Sequence, residues 1–224
     1  VQSILNIDAR DGLAMLPDAS VDMIWTDPPY RTISGGSGPD PKHRRPVGVL
    51  AANAGNGGFQ HNNIDVTEYA LDFFRVLTDP GHLWIMCNEL NRRPMEDAML
   101  AAGFKTHFLG AWVKNNITPN RWGLKNAELV FLFRKGAARA LYKRDLKQFH
   151  PHPNVKSGSK DHPTEKPAAL IRDYIEASSR PGELVLDPFA GTGNSAVAAR
   201  QAGRRYLGFE IDPDYAGVAW EKLR

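Results

Sequence analysis

Leu184-Val185-Leu186-Asp187-Pro188-Phe189-Ala190-Gly191-Thr192-Gly193-Asn194-Ser195-Ala196-Val197-Ala198-Ala199 reads as a buried strand, a glycine turn and a helix. The strand is apolar until Asp187, and the alanine-rich run after Gly193 favours helix. Gly191 and Gly193 let the backbone turn sharply and approach a ligand where a Cβ would collide. Arg205-Tyr206-Leu207-Gly208-Phe209-Glu210 supplies the following strand, and Asp212-Pro213 opens a last helix. Strand, crossover helix and strand in that order imply an α/β fold with a parallel sheet.

Two ligands suit this unit. Gly191-x-Gly193-x-x-Ala196 satisfies a relaxed dinucleotide fingerprint, with Glu210 placed 17 residues past Gly193 as the ribose acid. Asp187 argues for another ligand: it is a poor neighbour for a pyrophosphate and a good one for the cationic amino-acid end of S-adenosylmethionine. Glu210 would hold ribose hydroxyls in either case and does not discriminate.

Upstream, Val21-Asp22-Met23-Ile24-Trp25-Thr26-Asp27-Pro28-Pro29-Tyr30 is an apolar strand that runs into a carboxylate, two prolines and a ring. Neither proline can donate to a sheet ladder, so the strand stops there. Pro28 precedes a proline, is biased away from helical backbone, and offers its carbonyl as an acceptor. Asp27 and that carbonyl can take the two hydrogens of a planar exocyclic amine while Tyr30 stacks on its ring. The bland alternative is a plain strand exit.

With 224 residues, 42% apolar and 24% charged, the chain reads as one domain over residues 1–224 with a real core. No run approaches a membrane span and the opening residues lack a signal pattern, so the expected location is cytoplasmic. Cys87, the single cysteine, lies within Leu83-Trp84-Ile85-Met86-Cys87 and reads as a packed small side chain. Neither a disulfide framework nor a cysteine-rich zinc site can be built from it.

Charge is unevenly placed. Residues 134–160 carry +7 and residues 31–62 carry +3, against a chain total of +3, so the remainder is acidic at −7. Two basic segments on such a body point to a polyanion held at one face. The 31–62 segment, with seven glycines and three prolines directly after Tyr30, reads as a mobile loop that orders on nucleic acid.

Between these landmarks, Ser3–Asp8 reads as a strand ending in an acid, with a helical turn over Leu13–Leu16. A helix starts near Thr67 and is expected to end at Asp79-Pro80-Gly81, before a strand over His82–Cys87. Pro94 is expected as a first helical residue, and Gly103 closes that helix. Thr106–Val113 and Glu128–Phe133 read as strands joined by a loop over Lys114–Gly123. Trp112 is assigned to the core and Trp122 is left open between core and base stacking.

The two informative stretches, in this order, resemble the β group of DNA amino-methyltransferases. Asp27-Pro28-Pro29-Tyr30 is similar to that family's catalytic motif, and Asp187 with Phe189-Ala190-Gly191-Thr192-Gly193 to its cofactor loop. His162-Pro163-Thr164-Glu165-Lys166-Pro167 resembles the segment before the first cofactor strand. Trp112-x-Lys114-x-Asn116, Pro119 and Glu128 resemble the middle motifs.

The resemblance implies a Rossmann-like methyltransferase fold. Seven mostly parallel strands would appear along the chain as the third to seventh, then first and second, with helices on both faces. It implies S-adenosylmethionine as cofactor. Contacts are expected from Asp27, Asp187, Pro188, Phe189, Gly191, Gly193, Asn194, Ser195, Glu210 and Ile211, and from His162, Pro163, Thr164 and Lys166. Asp8 would accept the cofactor adenine amine or else cap a helix. The implied substrate is double-stranded DNA with a base turned out of the stack. Adenine N6 is preferred over cytosine N4, because an acid opening the motif is usual for the adenine enzymes. Phosphate contacts are expected from Arg44, Arg45, Arg139, Lys143, Arg144 and Lys147, with Arg31 and Trp122 as further DNA contacts. The departure from the family is size: only about residues 135–160 are available for target recognition, so the site read is short, or the 31–62 loop or a homodimer helps.

Overall fold

The computed structural model describes residues 2–29, 64–120, 123–154 and 165–224. A single eight-stranded sheet runs through it in the order β1-β8-β7-β2-β3-β5-β4-β6. The strands are β1 (Gln2–Asn6), β2 (Val21–Thr26), β3 (Leu77–Cys87), β4 (Lys105–Asn120), β5 (Gly123–Lys135), β6 (Phe149–Pro151), β7 (Leu184–Asp187) and β8 (Arg205–Glu210). From β1 to β3 every neighbour is parallel. β5 is antiparallel to both β3 and β4, and β6 runs parallel to β4. β1 beside β8 is the placement expected of a chain whose cofactor strands come last.

The helices are α1 (Ala9–Ala14), α2 (Ala70–Val76), α3 (Arg92–Ala101), α4 (Ala168–Ser178), α5 (Asn194–Gln201) and α6 (Pro213–Leu223). They cover both faces, which is why β2, β3 and β7 are apolar almost throughout. Alternate residues sort the two cores. Ile24, Leu83, Ile85, Phe131 and Phe133 pack with Leu13, Phe73, Val76 and Met99 of α1 to α3. Met23, Trp25, Trp84, Val130 and Leu132 pack with Leu170, Tyr174, Ala198 and Ala219 of α4 to α6. Trp112 belongs to the second core and donates its indole N–H to the His152 carbonyl at 2.7 Å. Cys87 is buried, and burial pushes its thiol up to about 12, well away from thiolate chemistry.

Several expectations change. The sheet has eight strands rather than seven, because three residues of the basic segment form β6 on the outer edge. α2 ends at Val76, and Asp79-Pro80-Gly81 lies inside β3 as an irregularity between the pairs Val21–Leu77 and Met23–His82. Pro94 is the third residue of α3 rather than its first, still within the turn where no amide donor is needed. Residues 114–123 are not a loop. β4 and β5 continue as a hairpin in which residues 114–117 stand opposite Asn126, between the pairs Val113–Ala127 and Thr118–Lys125. The ladder survives this run of turn-forming residues by bulging around it. Among the described residues no helix is long and apolar enough to cross a membrane.

Candidate active site

β2 and β7 are adjacent and parallel, with Met23 opposite Val185 and Ile24 opposite Leu186. Their carboxyl ends therefore leave the sheet side by side, the usual ligand position in open α/β sheets. Thr26, the last residue of β2, donates its hydroxyl to Asp187 Oδ1 at 2.9 Å, so the two motifs read in the sequence meet directly.

The β7 side is built by short-range bonds. Asp187 also accepts the Phe189 N–H at 3.1 Å. Burial pushes its carboxyl up to about 6, although the adjoining hydroxyls of Ser195 and Thr26 and the Phe189 N–H pull it down. Such a group gains from a cation. Gly191 has φ +51 and a Cβ there would meet nothing within 4 Å, so the loop faces open space at this point. Gly193 differs: at φ +80 its missing Cβ would stand 2.7 Å from that of Ala219, so it serves helix packing. Glu210 braces the same loop, accepting the Gly191 N–H and the Asp212 N–H, each at 2.8 Å. Ile211 follows it, exposed just beyond β8. Pro188 is buried, and Phe189 meets Tyr69 edge-on at 5.3 Å.

Asp8 is the N-cap residue of α1, one of the two roles read for it in the sequence. Its carboxylate accepts the Arg10 N–H at 2.8 Å and pairs with the Arg10 guanidinium at 2.7 Å.

The β2 side is built by charges from distant segments. The Lys166 ammonium lies 2.5 Å from Asp27 Oδ2 and 3.2 Å from Glu128 Oε2. Lys114 holds the other Glu128 oxygen. Burial works to lower the Lys166 ammonium, but Asp27 and Glu128 outweigh it and raise it above the usual lysine range. Burial works to raise Glu128, yet Lys166 and Lys114 hold it below the usual carboxylate range. Lys166 was expected at the cofactor. Its carbonyl reaches that side, accepting the Asn194 amide at 2.7 Å, and its ammonium pairs with Asp27 after β2. A cavity of about 50 Å³ opens beside Pro29, lined also by Asp65, Tyr69, Asn91 and Met95.

Glu128, Lys114 and Glu165 were not among the expected site residues. Glu165 is buried, pairs with Lys222 of α6 at 2.6 Å and accepts the Thr192 hydroxyl at 3.2 Å. A buried acid in the segment before α4 therefore ties the glycine loop to the last helix. Its only signal in the sequence was a charge inside a motif quoted for its other residues.

Of the expected phosphate contacts, Arg139 and Lys143 are anchored on α4. Arg139 donates to the Ser178 carbonyl at 2.8 Å, and Lys143 pairs with Asp173 at 2.5 Å and Glu176 at 3.5 Å. Arg144 and Lys147 are exposed. Tyr30, Arg31, Arg44, Arg45, Trp122, His162, Pro163 and Thr164, with the whole 31–62 segment, lie outside the described residues.

β4 runs parallel to β3, so the β4–β5 hairpin projects past the sheet at the edge where Asp27 sits. It exposes Asn115, Asn116, Ile117, Leu124 and Lys125 there.

A family model described as DNA methylase matches residues 21–221. The type II methyltransferase M2.DpnII of Streptococcus pneumoniae is 28% identical over 242 residues, covering 98% of this chain and 88% of that protein. The type II methyltransferase M.HinfI of Haemophilus influenzae is 29% identical over 255 residues, covering 100% of this chain and 68% of that protein. The crystal structure of the M1.HpyAVI-SAM complex shares the fold with a TM-score of 0.73 at 22% identity, covering 100% of both chains. The match runs from the strand that carries Asp27 through the elbow after Asp187 and into the last helix, and the chain belongs to the DNA methylase family as an S-adenosylmethionine-dependent amino-methyltransferase.

Proposed function

We propose that the protein methylates the N6 amine of an adenine turned out of double-stranded DNA. The observation that carries this is the Thr26–Asp187 bond, which sets the amine-accepting turn and the glycine elbow on one edge of the sheet. S-adenosylmethionine supplies, when bound, an electrophilic methyl group on a cationic sulfur. The residues present fit it: Asp187 is a buried carboxyl that gains from a cationic amino-acid end, and Gly191 faces open space where a side chain would obstruct. Asn194, Ser195, Glu210 and Ile211 stand around the same loop.

On the other side, Asp27 and the Pro28 carbonyl accept the two hydrogens of the amine. An exocyclic amine is a weak nucleophile while its lone pair is shared with the ring. Drawing both hydrogens towards fixed acceptors turns the nitrogen towards tetrahedral geometry and frees that pair, by preorganised electrostatics without a covalent enzyme intermediate. The nitrogen sheds one proton once it carries the methyl, and Asp27 is placed to take it and pass it to water. Tyr30 stacks on the extruded ring, contributing on the order of 1–3 kcal/mol.

DNA is held at the edge from which the β4–β5 hairpin projects, with Asn115 and Asn116 as candidate base readers through their amide N–H groups, their side-chain oxygens accepting from Asn154 at 3.0 and 3.3 Å. Arg144 and Lys147 remain for phosphates, Arg139 and Lys143 being occupied. A homodimer would add a second such surface, and sedimentation of the protein with and without DNA tests for it.

Product analysis decides the target atom. Unmethylated bacterial DNA treated with the protein and S-adenosylmethionine, then digested to nucleosides, is expected to contain N6-methyladenine. Finding N4-methylcytosine alone would overturn the choice of base, and methyl incorporation into RNA or polypeptide but not DNA would overturn the substrate.

A further inference from the structure

We propose that Lys166 is a positioning residue for methyl transfer, bridging the cofactor loop to Asp27 and fixing the Asp27 carboxylate before the base arrives. The proposal deepens the reading of Asp27 as amine acceptor and rests on it.

The geometry has two ends. At one, the Lys166 carbonyl accepts the Asn194 side-chain amide at 2.7 Å, and Asn194 is the first residue of α5. At the other, the Lys166 ammonium lies 2.5 Å from Asp27 Oδ2. One residue thus touches both the glycine elbow and the acid turn. The ammonium is itself held by Glu128 at 3.2 Å, and Glu128 by Lys114, whose own ammonium lies 4.8 Å from the Trp112 ring centroid. Trp112 is buried in the core, so the row of alternating charges is rooted in rigid structure.

The arrangement has a physical cost that calls for a function. The Lys166 side chain is only 10% exposed, with Lys114, Asp27 and Glu128 half-buried around it, and charges withdrawn from water in this way are seldom more stable than apolar side chains packed in their place. What such a row supplies is orientation. An ion pair to Oδ2 sets the plane of the carboxylate, and with it the direction in which Oδ1 presents its lone pairs. A misplacement of about 1 Å at such an acceptor costs on the order of 100-fold in rate. Sequence alone would have given Lys166 a cofactor contact, so the two roles predict different kinetics.

The test compares Lys166→Met, Lys166→Arg and Glu128→Gln with the wild type. Single-turnover methyl transfer to unmethylated bacterial DNA would be measured beside calorimetric titration with S-adenosylmethionine. Lys166→Met is expected to lose about 100-fold in rate while the cofactor Kd and the DNA KM stay within about 3-fold. Lys166→Arg should recover most of the rate, because it restores a cation between the two acids. Glu128→Gln should lose less, on the order of 10-fold, with the same unchanged cofactor Kd. That variant keeps its shape and so reports even if Lys166→Met does not fold. A Lys166→Met rate within about 2-fold of wild type, or a cofactor Kd that weakens in step with the rate, overturns the positioning role. So does a Glu128→Gln variant with the wild-type rate. If the wild type itself transfers no methyl group to DNA, the underlying reading of the site fails instead, and the two failures are distinguishable.

Discussion

The two sides of the cleft are assembled differently. On the β7 side, Asp187, Phe189, Gly191 and Glu210 are joined by backbone N–H groups donating to carboxylates over a few residues or across one strand pair. On the β2 side, Asp27 is held through Lys166, Glu128 and Lys114, which come from three other elements or linkers. The first construction resembles a preformed cradle whose geometry follows from local backbone. The second is a set of long charged side chains whose geometry depends on the whole sheet closing. Cofactor affinity and methyl-transfer rate should therefore respond to different substitutions.

The largest effect on stability is expected where the cradle is tied to the last helix. Lys222→Met would leave the buried Glu165 carboxylate without its ammonium, at a cost of about 3–5 kcal/mol in unfolding free energy. Chemical denaturation checks this, and a loss under about 1 kcal/mol would mean that the glycine loop is held by other means.

Asp187 gives the next effect, with a sign that can be worked out. Its carboxyl in the fold stands at about 6, above its ordinary 3.8, so the folded state binds the proton more tightly than the unfolded one. Stability without cofactor therefore falls as pH rises from about 4 to 6, by up to about 3 kcal/mol from this group. Affinity for a cationic ligand moves the other way, because only the ionised carboxylate attracts it. The S-adenosylmethionine Kd should tighten as pH rises through about 6 and level off above, and Asp187→Asn should flatten that dependence. A wild-type Kd independent of pH between about 5 and 7 would break the assigned partnership.

A smaller effect separates the two kinds of base on the insert. Replacing Arg144 and Lys147 by alanine should reduce the slope of log affinity for DNA against log salt by about 2. Lys143→Met should leave that slope unchanged and lower stability by about 1 kcal/mol, since this lysine is spent on Asp173 and Glu176. Equal slopes for both would mean that the anchoring on α4 does not keep Lys143 from DNA.

The same contrast explains what could be read before the structure. The cradle was legible because strand, glycine turn and helix follow one another without interruption, and each residue's role depends on near neighbours. The succession of strands along the chain was legible through the family resemblance, and β1 beside β8 agrees with it. The charge row was not, since Lys166 and Glu128 lie more than roughly a hundred positions from Asp27 and no periodicity joins them. Lys166 was noticed for the cofactor side alone, where its carbonyl meets Asn194, while its ion pair with Asp27 was not foreseen, and Glu165 was passed over.

Turn-forming residues misled twice, for one reason. Asn115, Asn116 and Pro119 suggested a loop where β4 bulges and continues, and Asp79-Pro80-Gly81 suggested a helix end where β3 had already begun. Paired neighbours in a large sheet can carry a local irregularity that propensity alone would treat as a break. β6 is three residues long and gains its identity only from pairing with β4. Arg139 and Lys143 counted as open charge because their acid and carbonyl partners on α4 cannot be seen from composition.

The division of labour across the cleft is tested most directly by Asp27→Ala, titrated with S-adenosylmethionine and assayed for methyl transfer to unmethylated DNA in the same preparation. The cofactor Kd is expected to stay within about 3-fold of wild type while transfer falls by at least about 1,000-fold. Turnover near the wild-type rate, or a cofactor Kd that worsens as much as the rate does, would contradict it.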